Sequence, residues 1–323
     1  MSTYLDRIIE SRLLSWLVYL LVLPIEILVF STLLLYKCFL MIYIKIYSSH
    51  YQFIEPLSSY DKIFAIDDFY VKPLAANATI IVLDKPIDLG ELKARFVSHV
   101  LPKFNKLDKI PAPLGGHYFW KRVPLDLNLQ IRQVSLPTSD VNNNLPVNGQ
   151  FQSYMNELSS APFPVHGGPL WEAILVNRNI LVLRMHHVLG DGYTFNHWVD
   201  ALLGVTSPYM VKDCETKGVW QWLQFMSRFP QLTFKLFYDA LLKEKDVFTQ
   251  KKLKTETCFS MTEFDLNTLK EVRRALGVHF ATLGMSLLGG ALTRGMKEKA
   301  GNDFSLMHSL PRPNHPFTMC NHW

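Results

Sequence analysis

Seven consecutive residues, His186-His187-Val188-Leu189-Gly190-Asp191-Gly192, hold the side chains best suited to chemistry in this chain. With the chain's own residue frequencies, the pattern HHxxxDG arises by chance on the order of once in a thousand such sequences. Along a strand leading into it, Ile180, Val182, Arg184 and His186 share one face, while Leu181, Leu183, Met185 and His187 share the other. Only one of the two histidines can therefore face a given cavity. A neutral imidazole with a pKa of about 6.5 can take a proton from a hydroxyl near neutral pH. If a thioester carbon lies beside that hydroxyl, its oxygen attacks directly and no enzyme nucleophile is needed. In keeping with this, the sequence has no Gly-x-Ser-x-Gly elbow, and of its cysteines only Cys320 neighbours a histidine. Gly190 permits a tight turn, Asp191 stands where it can cap a helix or take an arginine partner, and Gly192 leaves room for an approaching group. The plainer alternative is a buried strand ending in two histidines, with an aspartate that only starts a helix.

The elements that must position these residues are legible on either side. Residues 171–177 and 179–187 form two apolar runs around Arg178, as a β-hairpin requires, and Asp191 to Leu203 has helical spacing. Upstream, 76–83 is a buried strand, and Asp88 with Glu91 is a capping-box pattern ahead of Leu89, Leu92, Phe96, Val97 and Val100. Residues 117–123 and 128–136 are expected to be strands, 137–149 a loop, and Phe151 to Leu158 a helix. The sum is a mixed α/β region. From 217 to 246 an aromatic stripe (Trp220, Trp222, Phe225, Phe229, Phe234, Phe237, Tyr238) suits helix packing, an acyl-chain groove or a membrane contact. Beyond the connector Lys251, Lys252 and Lys254, a strand and two helices are expected between Thr255 and Met296.

The chain has 323 residues, 49% of them hydrophobic, which excludes a disordered polar chain. Its 33 basic and 28 acidic residues give a net charge of +5 with no block of like charge, so nucleic acid is not an expected partner. Cys38, Cys214, Cys258 and Cys320 are far apart, as in a reduced compartment. The terminal His315, Cys320 and His322 lack a fourth ligand, so no metal is expected. From Leu13 to Tyr36 the sequence is apolar enough to cross a bilayer, with Glu26 its only charge and Pro24 near its middle. Two geometries follow: one kinked span, or a re-entrant hairpin bent at Pro24.

The HHxxxDG segment resembles that of the wax ester synthase/diacylglycerol acyltransferase family, part of the chloramphenicol-acetyltransferase-like group of CoA-dependent acyltransferases. Pro56-Leu57-Ser58-Ser59-Tyr60-Asp61 with Phe64 is similar to the family's PLSxxD segment, and Pro169-Leu170-Trp171-Glu172 to its PLWE element. Tyr118 to Trp120, Leu125 to Leu127 and Val134 to Pro137 resemble its central strands, and Phe264 to Met296 its later helix pair. Where the family carries an Asn-Asp pair in those helices, this chain has Ala281 to Ser286. The resemblance implies a fold of two similar lobes with a tunnel between them. Residues 1–47 would form the membrane anchor, 48–250 the first lobe and 251–323 an incomplete second lobe. It implies His187 as general base, His186, Asp191 and Gly192 as its support, Asp191 acting through an arginine, and Trp171 as packing or substrate-proximal. The activity implied is transfer of a fatty acyl group from acyl-CoA, a co-substrate, to a long-chain alcohol or diacylglycerol, with no bound cofactor. The setting implied is the endoplasmic reticulum membrane or a lipid droplet, with the domain facing the cytosol. Asn77-Ala78-Thr79 is then expected to stay unglycosylated. The alternative is a non-catalytic, membrane-bound lipid-binding or regulatory fragment.

Overall fold

The computed structural model describes residues 11–51, 53–137, 149–205, 218–241, 259–262, 264–278 and 280–300. Most of the 137–149 loop, the lysine connector and the terminal His315, Cys320 and His322 lie outside the described residues. Helix α1 (Arg12–Tyr51) is one continuous helix through Pro24, which removes the hairpin reading of the apolar segment. Proline deletes a single helical hydrogen bond, and the apolar residues on both sides continue the helix past it.

Strand β1 (Phe53–Pro56) and helix α2 (Ser59–Phe64) come next, then β2 (Ala76–Val82). Helix α3 (Leu89–Arg95) runs on into one π-helical turn, Phe96–Val100. The capping box expected at its start does not form: Asp88 makes no cap bond, and its Oδ1 pairs with Arg178 Nη2 at 2.5 Å. Strands β3 (Lys109–Leu114) and β4 (His117–Arg122) form a hairpin around Gly115 and Gly116, at φ 55° and 72°. In this sheet, ordered β1-β4-β3, β3 lies at an edge, where Pro111 and Pro113 leave no central ladder bond unmade. The expected strand 128–136 is shorter than its sequence suggests. Asp126 caps a single turn, α4 (Leu127–Gln130), before β5 (Ile131–Val134) begins.

Helix α5 (Gly149–Ser160) precedes the hairpin of β6 (Trp171–Val176) and β7 (Ile180–His186). At the tip, Asn177 and Arg178 adopt φ 48° and 67°, the left-handed pair that a two-residue turn demands. A four-stranded sheet ordered β2-β7-β6-β5 results, with β6 and β7 central and every residue in them buried. Alternation divides their side chains as a strand requires. Trp171, Ala173, Leu175, Leu181, Leu183 and Met185 join the main core, with Phe96 and Trp198. Ile174, Val176, Ile180 and Val182 pack on the other side with Phe151, Met155 and Leu158 of α5. Helix α6 (Gly192–Leu203), with Phe195 and Trp198 in the main core, follows the hairpin.

Helices α7 (Val219–Leu241), α8 (Leu266–Leu276) and α9 (Phe280–Ala300) complete the described elements. No strand forms in the described residues 259–262. The chain divides into two compact units, and among the described helices α1 and α7 belong to the first. The aromatic stripe of α7 thus groups with the apolar N-terminal helix.

The β6–β7 hairpin buries a pair of opposite charges. Arg184 and Glu172, each side chain 1% exposed, meet at 2.6 Å, and Glu172 also binds Arg132 at 3.0 Å. Arg184 donates as well to the carbonyl of Ala161 and lies 4.5 Å over the ring of Phe163. Removing one partner leaves a buried charge uncompensated, which costs about 3–5 kcal/mol. Glu172→Ala is accordingly expected to lower unfolding stability by that amount in urea melts. A loss within 0.5 kcal/mol would show that the pair is solvated.

Candidate active site

Helix α6 starts where the sequence places its cap. Asp191 Oδ1 accepts from the backbone N–H of Tyr193 at 3.0 Å and of Thr194 at 3.3 Å. Of the two roles the sequence leaves open to Asp191, cap or arginine partner, the cap is formed. Gly190 is needed for close approach, because a Cβ there would fall 2.2 Å from Thr194 Oγ1. At Gly192 a Cβ would meet nothing within 4 Å, so open space lies beside the helix start.

The two histidines have different surroundings. His186 ends β7 and is fully buried. Its Nδ1 accepts from the Val188 N–H at 3.1 Å, so Nδ1 must carry a lone pair. The ring proton is then on Nε2, which donates to Asp67 Oδ2 at 2.9 Å. Burial holds the His186 pKa below its ordinary 6.5, against the upward pull of Asp67. With both nitrogens engaged and no exposed surface, His186 cannot serve as the base.

His187 lies just past the strand, in the turn His187–Leu189, and is only partly buried. Its backbone N–H donates to the Ala75 carbonyl at 2.8 Å. Its ring stacks on Phe64, with centroids 4.1 Å apart and an interplanar angle of 11°. Phe64 is held there by the segment that carries the PLSxxD resemblance. Ser58 caps α2 by accepting from the Asp61 N–H at 3.1 Å, and buried Asp61 pairs with Lys106 at 2.8 Å. Nearby in the chain, Tyr60, Ile63, Ile66, Val71 and Leu74 all expose apolar surface.

Asp67 belongs to the site although no motif pointed to it. Its Oδ2 accepts from the N–H of Leu74 and Ala75, each at 2.7 Å, as well as from His186. Burial alone would raise its pKa; the His186 bond and the N–H groups of Ala75, Leu74 and Asp68 outweigh it and hold the carboxyl below its ordinary 3.8. Phe69 meets the His186 ring edge-on at 4.8 Å, and Tyr70 donates to the Gly168 carbonyl at 2.7 Å, its phenol pushed up to about 12 by burial. The signal in the sequence was Asp67-Asp68-Phe69-Tyr70, two acids and two aromatics between a helix and a strand.

Trp171 lies within the core, not at a surface. It has no exposed area, donates to the Leu107 carbonyl at 2.8 Å and stacks on Phe96 at 5.5 Å. Among the described residues no three His, Cys, Asp or Glu side chains converge as a metal site would require. An open groove of about 420 Å³ runs along α9 from Ser286 to Gly295. One helix alone lines it and it includes no histidine, so it does not compete with His187 as a site of chemistry.

No protein-family model matches the chain, and no curated protein does. Among solved structures it is similar to the wax ester synthase/diacylglycerol acyltransferase of Marinobacter aquaeolei VT8, at 16% identity and a TM-score of 0.46, over 76% of this chain and 61% of that one. It is also similar to the first condensation domain of the CDA synthetase, at 14% identity and TM-score 0.44, over 77% of this chain and 62% of the other. A third is a starter condensation domain of rhizomide synthetase in complex with C8-CoA, at 16% identity and TM-score 0.39, over 62% and 48%. The chain thus spans between about half and three fifths of the length of these structures.

The state of His186 sets a pH dependence. Its folded pKa is depressed, so below pH 6.5 the unfolded chain binds a proton that the native chain does not, and stability falls with pH until the folded pKa is reached. The slope is at most about 1.4 kcal/mol per pH unit. Asp67, also depressed, adds a loss of the same sign below about 3.8. His186→Gln should flatten the profile just below pH 6.5 in urea melts. An unchanged slope there would assign the titration to another group.

Proposed function

We propose that this chain is an O-acyltransferase that moves a fatty acyl group from acyl-CoA to a long-chain alcohol or diacylglycerol, with His187 as general base. His187 takes the hydroxyl proton as the alcohol oxygen attacks the thioester carbon. The new C–O bond forms and the C–S bond breaks. The thiolate of CoA leaves and takes up the proton that the imidazole held. His186, Asp67 and the Asp191 cap hold the backbone from which the base projects.

The observation that carries this reading is the contrast within the pair: one imidazole is fixed by two hydrogen bonds, the other is partly exposed and stacked on the Phe64 ring. Helix α1 supports the membrane setting. More than a dozen large apolar side chains from Leu13 to Phe39 are exposed. At about 1.5–3 kcal/mol each, their exposure to water exceeds the usual net stability of a domain. From Leu17 to Tyr36 the helix rises about 30 Å, the thickness of a bilayer core, with Trp16 and Tyr19 near one end and Lys37 past the other. Both substrates partition into such a membrane, and the endoplasmic reticulum or lipid-droplet surface, facing cytosolic acyl-CoA, is the setting that suits them.

The test is expression of the full chain in cells lacking neutral-lipid synthesis, followed by assay of their membranes with labelled acyl-CoA and each acceptor. Wax ester or triacylglycerol should form, and His187→Ala should reduce the rate about 10²–10⁴-fold without altering the urea midpoint. Ester formation that survives His187→Ala overturns the role of the base. Lipid binding without turnover in the unaltered chain would favour a non-catalytic lipid-binding fragment.

A further inference from the structure

Helix α7 has two unlike sides. Gln224, Arg228, Gln231 and Lys235 follow one another at steps of four, three and four, which places them on one stripe. Trp222, Leu223, Phe225, Met226, Phe229 and Leu232 occupy the rest of the surface, and all six are exposed. A single helix in water gains nothing that offsets this exposure. Something apolar must cover that side.

Its contact with α1 indicates what. Trp16 Nε1–H donates to the Ser227 carbonyl at 3.1 Å, and the Tyr19 and Phe229 rings meet edge-on at 5.9 Å. Trp16 and Tyr19 stand at the start of the apolar run, just after Arg12. That is where tryptophan and tyrosine mark the boundary between lipid and water. The contact therefore holds α7 at the level of the headgroups, above the hydrocarbon centre. A helix with tryptophan and phenylalanine on one side and arginine and lysine on the other suits that level.

We propose that α7 is an interfacial helix, lying in the plane of the membrane beside the span, with its apolar side in the acyl-chain boundary and Arg228 and Lys235 among anionic headgroups. This rests on α1 as a span and adds a second contact with the bilayer.

The test uses the full chain with Cys38, Cys214, Cys258 and Cys320 replaced by serine, reconstituted in phosphatidylcholine/phosphatidylserine vesicles. Single cysteines at Leu223, Phe225, Gln224 and Leu28 carry an environment-sensitive dye. Quenching is read with lipids spin-labelled near the headgroup, with lipids labelled deep in the chains, and with aqueous iodide. Leu28→Cys should respond to the deep label, Leu223→Cys and Phe225→Cys to the shallow label with little iodide quenching, and Gln224→Cys several-fold more strongly to iodide. Iodide quenching at Leu28 would remove the span, and with it this proposal. A lipid-quenched Leu28 alongside iodide-quenched or fully shielded labels at Leu223 and Phe225 overturns the interfacial helix alone. Deep quenching at all four positions makes α7 a second span and overturns it equally.

Discussion

The hydrogen bond between Asp67 and His186 is the interaction on which the candidate site depends. It joins a loop before β2 to the last residue of β7, and the same carboxylate oxygen gathers the N–H groups of Leu74 and Ala75. Ala75 in turn accepts from the backbone of His187. One carboxylate thus fixes the tautomer of the first histidine and the chain position of the second. A partly buried carboxylate of this kind is held by several donors at once, and its loss leaves those donors without their acceptor. Neutrality of the His186 ring follows from burial, and its inability to act as a base follows from having no lone pair left.

Division of labour within a histidine pair is a consequence of strand geometry. His186, still in β7, keeps the alternation of the strand and turns toward Asp67. The next residue begins a tight turn and leaves the ladder, and its ring settles on Phe64. Gly190 lets the chain pass close to Thr194, so that α6 starts immediately, capped by Asp191. Strand, turn and capped helix follow within six residues, which is why the spacing of the motif is tight.

Much of this was legible in the sequence because the signals are local. The β6–β7 hairpin, α6 and the apolar helix all follow from period and length, and the partition of β6 and β7 between two cores follows the alternation of their residues. What stayed hidden is non-local or overridden. Asp67 and His186 are 119 positions apart, and no local pattern links them. Pro111 and Pro113 concealed β3, which tolerates them only because it is an edge strand. Asp88 has the spacing of a cap, but a guanidinium from the hairpin tip takes its carboxylate. The place of α7 beside α1 depends on contacts such as Trp16 with Ser227, which no periodicity encodes.

The most direct test of the division between the two histidines is their reactivity toward diethyl pyrocarbonate, which modifies accessible neutral imidazole. In membranes holding the unaltered chain, peptide mapping should find modification at His187, slowed by acyl-CoA and proportional to the loss of acyl transfer, with His186 untouched. Modification of His186 ahead of His187, or full turnover with His187 modified, would contradict the account.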